Sequence, residues 1–194
     1  MHRLTASIAL VLLPLSLTGC LPATSAQPRS GFATEDAAVV AAQELLPRYI
    51  DALSEAASLQ EDHLAPLKDL TSADLREADL KSLENGDERT SFLLGEFDYF
   101  AVTVTQVELS DDYPTTFVRI RLCLDYRETT WIDAAGVDVT SADRAPWRAM
   151  EVAFVDDPDV AGEVLVDDIN WWAGYDFCPT PRERAKVEPE SDAP

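Results

Sequence analysis

Histidine is nearly missing from this chain: His2 and His63 are the two among 194 residues. That scarcity excludes a three-histidine zinc site, and it leaves His63 as one candidate base for any serine or cysteine triad. No Gly-x-Ser-x-Gly elbow, glycine-rich phosphate loop or His-Glu-x-x-His segment occurs either. Basic residues are scarce as well, with 15 Lys and Arg against 36 Asp and Glu and a formal charge of −21. So acidic a surface repels phosphates and anionic headgroups, which argues against nucleic acid as a partner. Its simplest role is solubility. Cysteine occurs three times, never as Cys-x-x-Cys. The one sustained apolar run, 8–17, is about half the ~20 residues that a membrane-crossing helix needs.

That run follows a short basic start, Met1-His2-Arg3, and ends in Leu17-Thr18-Gly19-Cys20. It reads as a secretory signal spanning 1–19. Leu-x-Gly-Cys at this distance from the start resembles the lipobox of bacterial lipoproteins. The resemblance implies lipid on Cys20, cleavage before it, and a chain held at the extracytoplasmic face of the cell membrane by acyl chains, two or three of which anchor stably. Cleavage would remove Arg3 and no acid, leaving 14 basic and 36 acidic residues and a charge of −22. The polypeptide itself should stand off the membrane. Residues 20–33 then form the lipidated cysteine and a polar, proline-containing linker, of which Leu21 to Gly31 can reach ~35 Å when extended. The tail 179–194 lacks aromatics and is rich in proline and acids, a composition that predicts disorder. One domain, 34–178, lies between them.

Within the domain, Thr34 is placed to cap a helix that opens with Glu35 and Asp36. Val39, Ala42, Leu46, Tyr49, Ile50, Leu53 and Ala57 recur at helical spacing, and Pro47 should kink or break it. A brief second helical stretch is expected over Glu61 to Leu70. A third follows the capping box Thr71-Ser72-Ala73-Asp74 and stops at Asn85-Gly86. From Phe97 the period changes to two. Val118, Ile120, Leu122, Leu124 and Tyr126 point one way, and Arg119, Arg121, Cys123, Asp125 and Arg127 the other. Asp111-Asp112, Ala135-Gly136 and Asp156-Asp157-Pro158 read as turns. Trp131-Ile132 and Val137-Asp138-Val139 should form a short hairpin, and Trp147 to Val155 and Val164 to Phe177 the last strands. Helices first and antiparallel strands after indicate an α+β fold. Its simplest form packs the N-terminal helices on the concave face of one curved antiparallel sheet.

This order of elements resembles the cone-shaped NTF2-like fold. Cys123-Leu124-Asp125, Ile132-Asp133-Ala134-Ala135-Gly136-Val137-Asp138-Val139 and a closing strand before Cys178 are similar to small NTF2-like (SnoaL or ketosteroid-isomerase-like) lipoproteins of high-GC Gram-positive bacteria. A cystatin-like or lipocalin-like sheet is the alternative. The wider superfamily contains both enzymes and non-enzymatic binding modules, so the fold does not choose a function. The resemblance implies that enzymes of this kind would use a buried Asp as base with Tyr or Asp donors.

With Cys20 taken by lipid, Cys123 and Cys178 are an even pair in an exported domain and read as one disulfide. Tyr49, Tyr126 and Trp171 are candidates for a concave pocket. Asp168 and Asn170 alternate with Ile169 and Trp171 and fall on the solvated face, and His63, beside Glu61 and Asp62, reads as solvated. Asp156, Asp157, Asp159 and Glu163 lack EF-hand spacing and read as turn chemistry. No catalytic residue, metal or cofactor is expected. The expected function is a lipid-anchored, non-enzymatic module that binds a protein partner or a small apolar ligand. The alternative is a small isomerase or dehydratase using a pocket carboxylate.

Replacing Cys20 by Ala should abolish lipid attachment and leave an unanchored or uncleaved product. Mass spectrometry of the Cys20→Ala chain from its own host is the check, and undiminished lipidation would remove the basis for the anchor.

Overall fold

The computed structural model describes residues 31–59, 62–84, 91–109, 116–171 and 177–178, with the side chains of 80 and 82–84 outside the description. Cys20, the linker up to residue 30, Asn85-Gly86, Asp111-Asp112 and the tail lie outside the described residues. Helix α1 runs over Glu35–Ser58 and α2 over Ala73–Glu84; strands follow at β1 Ser91–Leu94, β2 Asp98–Leu109, β3 Thr116–Asp125, β4 Thr130–Asp133, β5 Trp147–Asp156 and β6 Val164–Trp171. The α+β class expected from the sequence is present, with antiparallel sheets that do not close.

Thr34 caps α1 as its spacing predicts, its Oγ1 accepting from the Ala37 amide at 3.2 Å. Pro47 does not break the helix, which continues for 24 residues. The reason is energetic. An internal proline costs ~3 kcal/mol, whereas Leu45, Leu46 and Ile50 are buried on either side of it, each worth roughly 1.5–3 kcal/mol. The second helical stretch shrinks to a 3-10 turn at Ala65–Leu67. The expected capping box is displaced by one residue: Ser72 is the cap, accepting from the Leu75 amide at 3.1 Å, while Thr71 bridges to Val166.

A second departure concerns the sheet. The expected single curved sheet is two sheets, one with strand order β2-β3-β5-β6 and a two-stranded ribbon of β1 and β4. The chain leaves β3 through a turn in which the Thr129 amide and hydroxyl both donate to the Tyr126 carbonyl. Arg144 clamps that turn, donating to the Tyr126 and Thr129 carbonyls at 2.7 Å each. Gly95, at φ +102°, passes so close that a Cβ there would lie 2.1 Å from the Glu128 carbonyl oxygen. β4 is thereby steered onto β1, with Phe92 opposite Ile132 and Leu93 opposite Trp131. The expected hairpin after β4 survives as a bridge between Ile132 and Asp138, around a turn where the Asp133 Oδ1 accepts from the Ala135 and Val137 amides. The last strand is present over Val164–Trp171, and the remainder of its expected span, 172–176, lies outside the described residues.

One face of the larger sheet packs under α1. Val118, Ile120, Leu122 and Leu124 of β3 are fully buried there with Met150, Val152 and Phe154 of β5 and Val166 of β6, against Ala42, Leu46, Tyr49 and Ile50 of the helix. The opposite face follows the predicted alternation, yet it is only partly solvated. Glu151, buried to 7% exposure, accepts ion pairs from Arg119 at 3.2 Å and Arg121 at 3.0 Å. Cys123 is bonded to Cys178, with Cα atoms 5.6 Å apart, and Phe100, Trp147 and Phe177 pack around the bridge. The edge at β6 is covered: the Ser72 amide donates to the Val166 carbonyl at 2.8 Å, and the Val166 amide donates to the Leu70 carbonyl at 2.9 Å. β2, at the other edge, is irregular in register between Phe100 and Thr103 and again between Val104 and Gln106, irregularities that discourage edge-to-edge association.

The disulfide closes a loop of 55 residues, which the chain-entropy account values at about 4 kcal/mol as a ceiling. Reduction should lower the urea midpoint, and the unfolding free energy derived from it by an amount approaching that ceiling. Equal midpoints for the oxidised and reduced chains would remove the bridge from the energetics of the fold.

Candidate binding surface at the end of the sheet

Where β3 ends and β5 and β6 meet its level, polar and aromatic side chains gather on the helix-covered side. Strand register sets this out: Tyr99 lies opposite Leu124, Leu124 opposite Arg148, and Met150 opposite Trp171. Arg148 lies over the Trp171 ring at 4.7 Å from its centroid. Tyr126 is half-buried, with the Phe97 ring edge-on at 5.4 Å and the Arg144 guanidinium 5.9 Å from its centroid. Burial pushes the Tyr126 hydroxyl up to about 12, and the nearby charges of Arg148 and Arg144 oppose the rise. This hydroxyl therefore stays protonated and able to donate a hydrogen bond across the physiological range.

Tyr49, Tyr126 and Trp171, the expected pocket residues, differ in where they lie among the described residues. Trp171 has the inward register anticipated for it but lies on the last residue of β6 and is 41% exposed. Tyr49 belongs to the interior of α1 and is fully buried. Its hydroxyl has no hydrogen-bond partner. Burial raises its pKa, and the charge of Asp79 adds to the rise. Neither of two cavities in the described residues is lined by these three side chains. One, about 190 Å³, lies between Ala41, Leu45 and Arg48 of α1 and the Gly162–Leu165 segment. The other, about 590 Å³, is an acidic groove formed by Asp51, Ser54, Glu55 and Ser58 of α1 with Gly95 and Glu96.

Asp168 and Asn170 lie on the sheet face away from α1, opposite Ala153 and Glu151, as their alternation predicts, and the Asn170 amide donates to the Asp168 carboxylate. Asp157 shows the expected turn chemistry, its Oδ1 accepting from the Asp159 and Val160 amides, whereas Asp156 ends β5 and its Oδ2 accepts instead from the Thr116 amide at the start of β3, at 2.8 Å. His63 is partly buried rather than solvated. Three residues that the sequence reading did not single out prove to matter. Arg148 sits in a strand position that alternation makes apolar, which was a legible signal. Glu151 and Asp79 gave none, because their roles depend on which segments the fold brings over them.

Asp79 of α2 is partly buried; desolvation raises its carboxyl above the ordinary aspartate value, and the His63 charge pulls the other way. The folded state therefore holds this proton more tightly than the unfolded one, so the associated stability is full below the unfolded value of about 3.9 and is lost as pH rises through the folded value. Asp79→Asn should then be more stable than the parent at neutral pH, with the difference fading below about pH 3.9. Urea midpoints at both ends of that range decide it, and an Asn variant weaker at neutral pH would contradict the assignment.

No protein-family model matches this chain, and no curated protein matches it. Among solved structures it is similar to the intermembrane space region of the chloroplast protein ARC6, at 11% identity and a TM-score of 0.47, over 69% of this chain and 95% of that one. It is also similar to a periplasmic fragment of TraM, at 13% identity and a TM-score of 0.40, over 71% of this chain and 96% of that one.

Proposed function

We propose that this protein is a lipid-anchored, extracytoplasmic binding module of NTF2-like architecture that acts through a surface rather than through catalysis. The observation that carries the reading is the Trp171, Arg148 and Tyr126 corner. It combines an exposed tryptophan, a guanidinium stacked on it and a tyrosine whose hydroxyl stays protonated. Tryptophan, tyrosine and arginine are the residues that most often dominate binding energy at protein interfaces.

Two features support the location and architecture. The Cys123–Cys178 bond fits an oxidising compartment, and Leu17-Thr18-Gly19-Cys20 fits lipid attachment. A long N-terminal helix lying across one face of an antiparallel sheet fits the NTF2-like cone. Trp171 and Arg148 are both exposed, which favours a protein partner over a small apolar ligand, because small-molecule sites are enclosed.

A second reading, a small isomerase or dehydratase, is favoured by one observation: the raised carboxyl of Asp79 acts on the buried Tyr49 hydroxyl. That hydroxyl lacks a hydrogen-bond partner, so the pair does not have the contact that a proton-transferring dyad requires.

Trp171→Ala should weaken complexes captured by reversible cross-linking in intact cells, while His63→Ala and Asp168→Asn leave them unchanged. Because Trp171 is 41% exposed, its truncation should cost well under the about 3–5 kcal/mol of a buried tryptophan, and circular dichroism checks that each variant is folded. A substrate whose turnover disappears in a folded Asp79→Asn or Asp168→Asn variant would overturn the binding reading and establish the enzyme.

A further inference from the structure

The arginines of the sheet divide by what they hold. Arg119 and Arg121 are engaged by Glu151, and Arg127 by Asp125 at 2.7 Å. Arg144 is committed to backbone carbonyls. Arg148 differs. It is exposed, lies over Trp171, and forms no ion pair among the described residues. In a chain with 36 acids against 15 bases, an arginine without an ion pair among the described residues stands out.

Resting on the binding reading above, we propose that Arg148 and Trp171 form the docking point for a carboxylate on a protein partner whose flanking surface is basic. Contact with the indole, 4.7 Å from guanidinium carbon to ring centroid, restricts the Arg148 side chain before a carboxylate arrives, so less side-chain freedom is lost on binding. Bidentate pairing with a carboxylate is the strongest contact such a fork makes. The partly exposed indole supplies apolar area beside the charge.

The basic flank follows from what adjoins the corner. The Phe97 amide donates to the Ser54 Oγ at 2.9 Å, and the Phe97 ring meets Tyr126. Ser54 lines the acidic groove with Asp51, Glu55 and Glu96. A cationic corner thus continues into an anionic groove. The complementary surface carries one carboxylate opposite Arg148 and basic side chains opposite the groove, a mosaic that fixes orientation as well as partner. A second copy of this chain is the disfavoured occupant, since two chains of charge −22 after cleavage repel.

The test places a benzoyl-phenylalanine photo-cross-linker at Glu96, in the groove, or at Val160, in the turn at the far end of β6, in the full-length chain expressed in its own host. Adducts from position 96 should exceed those from position 160 by about tenfold or more, and Arg148→Glu should reduce them by at least about tenfold, the scale of a hot-spot loss. The cross-linked peptide of the partner should lie beside an Asp or Glu, and changing that residue to Lys should restore the adduct to the Arg148→Glu chain. Adducts that survive Arg148→Glu in a folded protein, or that join two copies of this chain, would overturn the proposal, as would no excess at position 96. Specific adducts from position 160 alone would overturn this surface and leave the binding reading standing.

Discussion

One helix can cover one face of a sheet, and β3 is fully buried on that face and largely covered on the other. Everything else in the domain answers that constraint. On the α1 side the solution is aliphatic, with Val118, Ile120, Leu122 and Leu124 at or near zero exposure. On the other side the strand carries Arg119, Arg121 and Cys123, and no second long helix is present among the described residues to cover them. Arginine stems, a buried glutamate, a disulfide and three aromatic rings do that work. Long basic side chains can shield apolar area while keeping their heads hydrated, which lets a polar-patterned face approach the burial of a core.

That solution is less forgiving than an aliphatic one. Glu151 is buried with two guanidiniums, and a buried charge stripped of its partner is far more costly than an aliphatic gap of similar volume. The covering residues also come from separate stretches: Glu151 from β5, Phe100 from β2, and Phe177 and Cys178 from beyond β6. The outer face therefore forms only when the sheet order is correct, so its polar contacts report on topology as well as on stability.

Much of this was legible because hydrophobic period carries it. The stripe Ala42, Leu46, Tyr49 and Ile50 and the alternation of β3 are local signals, and the packing follows both. The cysteine pair was legible from parity once Cys20 was set aside, and the spacing of Asp168 and Asn170 placed them on the correct face. What failed was decided by contacts distant in sequence. Pro47 stayed helical because the layer beneath α1 outweighed a lost hydrogen bond. The sheet split because Arg144, 15 residues beyond Thr129, seizes the turn after β3. Trp171 had the inward register but is 41% exposed, and alternation says nothing about where a covering helix stops. The corner went unseen as a site because its defining residue, Arg148, acquires meaning only once Trp171 and Tyr126 are brought beside it.

The disulfide joins the central strand to a residue that the chain reaches only after β6, 55 positions later. In synthesis or export from the N-terminus, α1, β3, β5 and β6 are therefore all available before Cys178 emerges. The helix-covered layer can assemble while the thiol of Cys123 is still waiting for its partner. Covalent closure is then a final step that locks a topology already chosen, and an oxidant acting early finds no intramolecular cysteine of the folded domain to pair wrongly with Cys123. The order of residues along the chain thus guards oxidative folding, independently of any energy the bond contributes once formed.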